Sequence, residues 1–184
     1  MLFLQGDRLL FNNDCNEIIR PLLIEEKRRP SEVRRHCRLL SKELISRIRP
    51  LIQKNSNALF VFVLRGAMLL YPPFAEEFEE ASFCFISAGS RTKLDLPAYD
   101  AVVIVDTVIE TGKTVHGAKK LLEDTGISTD NWIVAAACAN RSSQKSLLES
   151  FDKVFCIEFM DNVRVTVDAG EFAMCGDNAQ AEWR

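Results

Sequence analysis

The chain predicts an α/β fold, a doubly wound parallel sheet with N-terminal helices and a small C-terminal hood. Three observations predict it. Short continuous apolar runs, Ala-Leu-Phe-Val-Phe-Val at 58–63 and Val-Val-Ile-Val at 102–105, suit strands buried on both faces. Stretches of helical periodicity alternate with such runs, giving βαβ units joined by short connections. A length of 184 residues at 47% hydrophobic content supports one core and is too short for two typical domains.

In chain order, residues 2–11 alternate weakly around Gly6-Asp7 and read as a hairpin that pairs with the rest of the fold. Asp14 with Glu17 three positions on resembles a capping box, which opens a helix to about Lys27; Pro30-Ser31 separates it from a longer helix to about Gln53. Residues 1–56 are thus a hairpin and helical appendage, 57–160 the core and 161–184 the hood of one domain. The core begins with the strand 58–63. A helix over 67–80 follows, disturbed by Pro72-Pro73, then a strand over 82–87. Next come a strand over 101–105, a helix over 114–124, a strand over 132–139, a helix over 142–150 and a strand over 153–159. The hood is the least helical part, with alternation at Val163-Arg164-Val165-Thr166-Val167 and a turn at Asp168-Ala169-Gly170.

Composition narrows the function classes. The apolar runs are too short to span a membrane, and Gln5-Gly6-Asp7-Arg8 interrupts the apolar start, so a cytoplasmic protein without signal peptide is expected. Six cysteines are scattered without a Cys-x-x-Cys pair, which favours buried reduced thiols over disulfides or zinc. His36 and His116 are the only histidines, too few to support a histidine-based metal or nucleophilic centre. The net charge of −3 conceals a basic stretch before the core, including Arg34, Arg35, Arg38, Lys42 and Arg47. Such a stretch can contact nucleic acid phosphates, but Leu39, Leu40, Leu44, Ile45 and Ile48 recur through it at helical spacing and favour a packed helix.

Residues 102–114 carry the chemistry: Val-Val-Ile-Val-Asp-Thr-Val-Ile-Glu-Thr-Gly-Lys-Thr. A buried strand leads to Asp106 and Glu110, and Thr111-Gly112-Lys113-Thr114 turns into a helix. Backbone N–H groups at such a turn bind an oxyanion, and the acids accept hydrogen bonds from sugar hydroxyls, a pairing that suits a phosphorylated ribose. A nucleotide-binding P-loop, which also ends in Gly-Lys-Thr, needs a glycine five residues before Gly112, where Thr107 stands. At the end of the first core strand, Val63-Leu64-Arg65-Gly66-Ala67 places an arginine fork beside a glycine, suited to a diphosphate.

The 102–114 segment resembles the phosphoribosyl diphosphate signature of type I phosphoribosyltransferases, and uracil phosphoribosyltransferase-like members most nearly. Most members carry two adjacent acids after the strand, whereas this chain has Asp106-Thr107; the uracil-using branch likewise lacks the second acid. Purine-using members usually have an acid where Glu110 stands. The resemblance implies a magnesium-dependent transferase that joins a nucleobase, uracil first, to the phosphoribosyl group and releases diphosphate. It implies Arg65, Asp106 and Glu110 as catalytic residues, and Gly66, Arg91, Thr107, Thr111, Gly112, Lys113, Thr114 and Asp177 as further contacts to phosphoribosyl diphosphate. The family's diphosphate loop often holds a cis peptide, which here would be Leu64-Arg65.

Residues 87–97, with Arg91 and Lys93, stand where the family places a mobile catalytic loop, or form a surface loop. Ala173-Met174-Cys175-Gly176-Asp177 resembles the segment that closes over base and sugar in uracil-using members, implying Met174, Cys175 and Gly176 as base contacts; the family's following Gly-Asp-Arg is replaced by Ala179-Gln180-Ala181. Expected partners are phosphoribosyl diphosphate, a nucleobase and a second copy in a homodimer, with neither nucleic acid nor membrane. The alternatives are a hypoxanthine or guanine acceptor, a non-nucleobase acceptor, or a ligand sensor that binds nucleic acid through its basic helices.

Overall fold

The computed structural model describes residues 9–10, 30–53, 56–87 and 98–161. The expected helix over 14–27, most of the N-terminal hairpin, Arg91 and Lys93, and the hood with Met174, Cys175, Gly176 and Asp177 lie outside the described residues.

Among the described residues six parallel strands form one sheet: β1 (Leu9–Leu10), β2 (Ala58–Val63), β3 (Ser82–Ile86), β4 (Ala101–Ile109), β5 (Trp132–Asn140) and β6 (Lys153–Met160), in the spatial order β1-β6-β5-β4-β2-β3. The helices are α1 (Pro30–Ile48), α2 (Tyr71–Glu77), α3 (Lys113–Asp124) and α4 (Gln144–Ser150). Helices α1 and α2 cover one face, where Leu40, Leu44 and Phe74 meet Phe60, Phe62 and Val103. Helices α3 and α4 cover the other, where Val115, Leu122 and Leu147 meet Val61, Ile104 and Val134. Helices on both faces of an all-parallel sheet make the doubly wound fold, and they explain why β2 is buried along its whole length. None of the described helices is long and apolar enough to cross a membrane.

Several element boundaries differ from the sequence expectation. Leu9 and Leu10 pair in parallel with Val154 and Phe155, and the rest of the expected hairpin lies outside the described residues. Helix α1 stops at Ile48 and tightens into a 3₁₀ turn at Arg49–Leu51, because Pro50 has no N–H to continue the ladder. The region expected as one helix over 67–80 is a 3₁₀ turn, Gly66–Leu69, followed by α2; Pro72 and Pro73 are tolerated only in a first turn, so the α-helix begins beside them.

The expected appendage is also more deeply engaged. Cys37, Leu40, Leu44, Ile45 and Ile48 of α1 are core residues on the sheet, while Leu39 is on the solvent side with Arg34, Arg35 and Arg38. The buried Ser41 hydroxyl lies 2.8 Å from the Cys37 carbonyl oxygen and 2.9 Å from that of Leu70, a polar tie between α1 and the start of α2. Each fully buried Leu or Ile contributes about 1.5–3 kcal/mol, so the apolar stripe and not the charged face seats this helix. Among the described residues Cys37, Cys138 and Cys156 are buried and Cys84 is half-buried.

The carboxyl end of the sheet holds an irregularity in alternation. Same-face residues lie three apart there instead of two: Val105 and Val108 in β4, Ala136 and Ala139 in β5, Cys156 and Phe159 in β6. Direct pairing is interrupted at the same level, with Asp106 opposite Ala136 and Val108 opposite Cys138 but no pair between them. The β5–β6 ladder shows the same gap between Ala136–Cys156 and Cys138–Glu158. Asp106 is the last residue of β4 before this step.

Candidate active site

The site lies where β2 ends and β4 continues. The β2–β4 ladder closes at Phe62–Val105, one residue before Asp106, while β5 supports β4 as far as Ile109. Strand β4 was expected to end at Val105; pairing with β5 carries it four residues further, so Asp106 and Thr107 stand inside a strand whose other edge has just been freed. That gap admits the 3₁₀ turn after β2.

Asp106, Glu110, Thr111, Gly112 and Thr114 line a recess of about 190 Å³, floored by Val108, Ile109 and Val115. The Asp106 carboxyl is buried, and its Oδ1 accepts the Thr107 N–H at 2.7 Å. Burial pushes this carboxyl up to about 7, against hydrogen bonds from Thr107 and Val108 that pull it down. Glu110 is exposed at the recess, on the turn between β4 and α3.

The turn itself depends on Gly112, whose φ of 78° is in the left-handed region that disfavours side chains, and which serves as the N-cap of α3 without any side-chain cap bond. The start of this 12-residue helix and its dipole thus lie at the recess, which Gly112, Thr114 and Val115 line. The Thr111 hydroxyl oxygen accepts the Lys113 N–H at 3.4 Å, a long bond that an anion can replace.

Four described residues of the expected ligand set, Arg65, Gly66, Thr107 and Lys113, do not line this recess. Thr107 is buried and its Oγ1 packs against Gly66, only 2.6 Å from where a Cβ on that glycine would stand. The close approach of this hydroxyl to the turn after β2 explains the glycine. Lys113 lines a neighbouring recess of about 300 Å³ with Val63, Ile86, Ser87 and Lys120; Thr114 belongs to both, so the two share a wall. Arg65 is half-buried at the carboxyl end of β2, as N-cap of the 3₁₀ turn, and the Leu64–Arg65 peptide is cis, where the resemblance places it.

Behind the site, Cys138 Sγ donates to the Thr107 carbonyl at 4.0 Å. Burial pushes this thiol up to about 12, with Asp106 and Glu158 adding to the effect, so it is a protonated packing group and not a nucleophile. Among the described residues no group of three or more His, Cys, Asp or Glu side chains is placed to hold a metal. Sequence reasoning gave His116 little weight, yet its ring lies directly beneath Gly112. The available signal was its spacing, one helical turn after the glycine.

A parallel sheet wound on both faces, with an acid and a glycine turn at its carboxyl edge, defines the class of α/β proteins that bind ligands at that edge. Within it, this chain belongs to the phosphoribosyl transferase domain family, whose model matches residues 31–171. Solved structures share the fold at low identity. The AQ2163 protein from Aquifex aeolicus is 16% identical, with a TM-score of 0.64 over 81% of this chain and 85% of that one. APRTase from Giardia lamblia complexed with 9-deazaadenine is 16% identical, with a TM-score of 0.51 over 68% and 82%. Adenine phosphoribosyltransferase from Saccharomyces cerevisiae is 17% identical, with a TM-score of 0.50 over 70% and 79%. No protein of curated function matches the chain in sequence.

Proposed function

We propose that the chain transfers the 5-phosphoribosyl group of phosphoribosyl diphosphate to a nucleobase, uracil first, and releases diphosphate. The observation that carries this reading is the single recess in which Asp106, Glu110 and the Thr111–Gly112–Thr114 turn converge. The turn's N–H groups take the 5′-phosphate, and Asp106 and Glu110 accept hydrogen bonds from the ribose hydroxyls. Arg65, at the end of β2, takes the diphosphate with its fork of donors, with Gly66 beside it. The sequence resemblance adds Arg91 and Asp177 as contacts to phosphoribosyl diphosphate and Met174, Cys175 and Gly176 as contacts to the base.

The reaction breaks the bond from C1′ to the diphosphate oxygen, which leaves with the electron pair, and forms a bond from C1′ to a base nitrogen. Positive charge develops on the ribose ring meanwhile, and carboxylates held beside it stabilise that charge more than the ground state. Glu110, exposed and free to approach, accepts the proton that the base nitrogen loses. Among the described residues the donor set is too sparse for a cation cage, so a magnesium ion would be held there mainly by substrate oxygens and water, beside the recess carboxylates. Bound there, magnesium would neutralise charge on the departing diphosphate.

The acceptor rests on two residues that point apart. Thr107 in place of a second acid supports uracil, and Glu110 at the recess supports hypoxanthine or guanine. The deciding experiment is diphosphate release from phosphoribosyl diphosphate and magnesium with uracil, hypoxanthine, guanine, adenine, xanthine and orotate offered separately. Uracil-dependent release is expected, lost in Glu110→Gln. Release with a purine alone would replace the acceptor, and a folded protein that releases none with any base is not a base-using transferase.

A further inference from the structure

His116 stands one turn into α3 with its ring set under the phosphate turn. A Cβ on Gly112 would meet Nε2 at 3.2 Å and Cδ2 at 3.3 Å. The ring stacks on Phe151, centroids 5.6 Å apart and planes 28° apart, and Leu147 closes the same wall. Nε2 is buried and has no hydrogen-bond partner. An unpaired buried polar atom is costly, whereas a leucine or phenylalanine would fill this wall without that cost. Burial, and the charge of Lys119, push the imidazole below its ordinary value, so the ring is neutral at pH 7. Lys119, on the same helix, is the charged group that acts on it and is itself paired with Glu123 at 3.0 Å. The elements packed against the ring contribute Leu147 and Phe151, which carry no charge.

We propose that His116 is a positioning residue of the phosphate turn, whose Nε2 takes up a proton from solvent when a sugar phosphate seats on the N–H groups above it. The inference rests on the reading of this turn as a phosphate site. A dianion above a poorly solvated wall favours the charged imidazole; the imidazolium in turn holds the Gly112 turn in its anion-binding form. Linkage then makes affinity rise as pH falls, because the complex binds one more proton than the free protein.

His36 and His116 are the only histidines, and His36 sits on α1 with its Nδ1 2.7 Å from the Glu32 carbonyl oxygen, so it serves as an internal reference. The test follows imidazole ¹⁵N shifts and binding heats with ribose 5-phosphate between about pH 6 and pH 8, the range in which histidine titrates. The ligand should move His116 toward imidazolium and leave His36 unmoved. Wild-type affinity should gain about tenfold over this range relative to His116→Phe, which keeps the stack on Phe151 but cannot take up a proton. The ligand's own second ionisation, near about pH 6, is common to both proteins and cancels in the ratio. His116→Gln should bind like wild type at the upper end and lack the gain below. If His116→Phe does not fold, the shifts of the wild-type protein decide alone. Saturation without a His116 shift, or identical pH profiles in wild type and His116→Phe, overturns the positioning role and leaves the phosphate reading standing. Failure of the wild type to bind ribose 5-phosphate overturns both.

Discussion

Asp106 sets function against stability at a single carboxyl. Its folded value of about 7 lies above the ordinary 3.8 because it is buried, so the fold prefers the protonated form. The stability it contributes is full below about pH 4 and is lost as pH rises through about 7. Asp106→Asn removes this dependence. Urea melts should show the variant gaining on wild type by roughly 2–4 kcal/mol between about pH 4 and pH 8, and parallel pH profiles would contradict it. The ionised form that ribose hydroxyls would pair with is therefore reached at the expense of the fold. The sequence identifies this acid through the strand before it and the glycine turn after it. It could not reveal the burial, which arises because β5 carries β4 past the end of β2.

Between elements, the turn after β2 approaches β4 closely at Gly66 and Thr107. Adding a methyl at Gly66 would place it 2.6 Å from Thr107 Oγ1 but 3.7 Å from Thr107 Cβ, so the clash belongs to the hydroxyl. Gly66→Ala should destabilise by about 1–3 kcal/mol in wild type and by much less in a Thr107→Ala background. A double-mutant cycle by denaturant melts measures the coupling, and additive costs would mean that the two elements do not press on each other through this pair. Sequence periodicity located every described core element but placed their ends by composition alone. The end of β4 was hidden because Asp106-Thr107 breaks the apolar run without breaking the ladder. The end of α1 was readable at Pro50, and the start of α2 at Pro72-Pro73, once the missing N–H groups are counted.

For the whole molecule, occupation of the recess should appear as stability. A ligand that binds only the folded chain at 100 times its Kd adds about 2.7 kcal/mol. For a domain of 184 residues that corresponds to a rise of about 5–10 °C in Tm. Ribose 5-phosphate should produce this rise in wild type and a smaller one in Gly112→Ala, whose φ of 78° resists the added side chain. Equal rises in both would remove the turn from the site. The doubly wound architecture was legible from alternation of buried strands and helices. The role of α1 as a wall of the core was less so, since ten basic residues between Arg20 and Arg49 mask a stripe of five buried apolar ones.

The step in alternation across β4, β5 and β6 behaves as a dislocation line in a layered solid. Such a line cannot stop within the lattice; it must run out at a boundary. On one side it does so where β2 ends at Val63, level with Asp106. Deleting one residue from a single strand would therefore shift the line within that strand and leave it mismatched with its neighbours. The carboxyl of Asp106 would be carried to the opposite face of the sheet, away from the turn that completes its site. Only matched changes in all three strands could move the defect intact, so the length of each is tied to the other two.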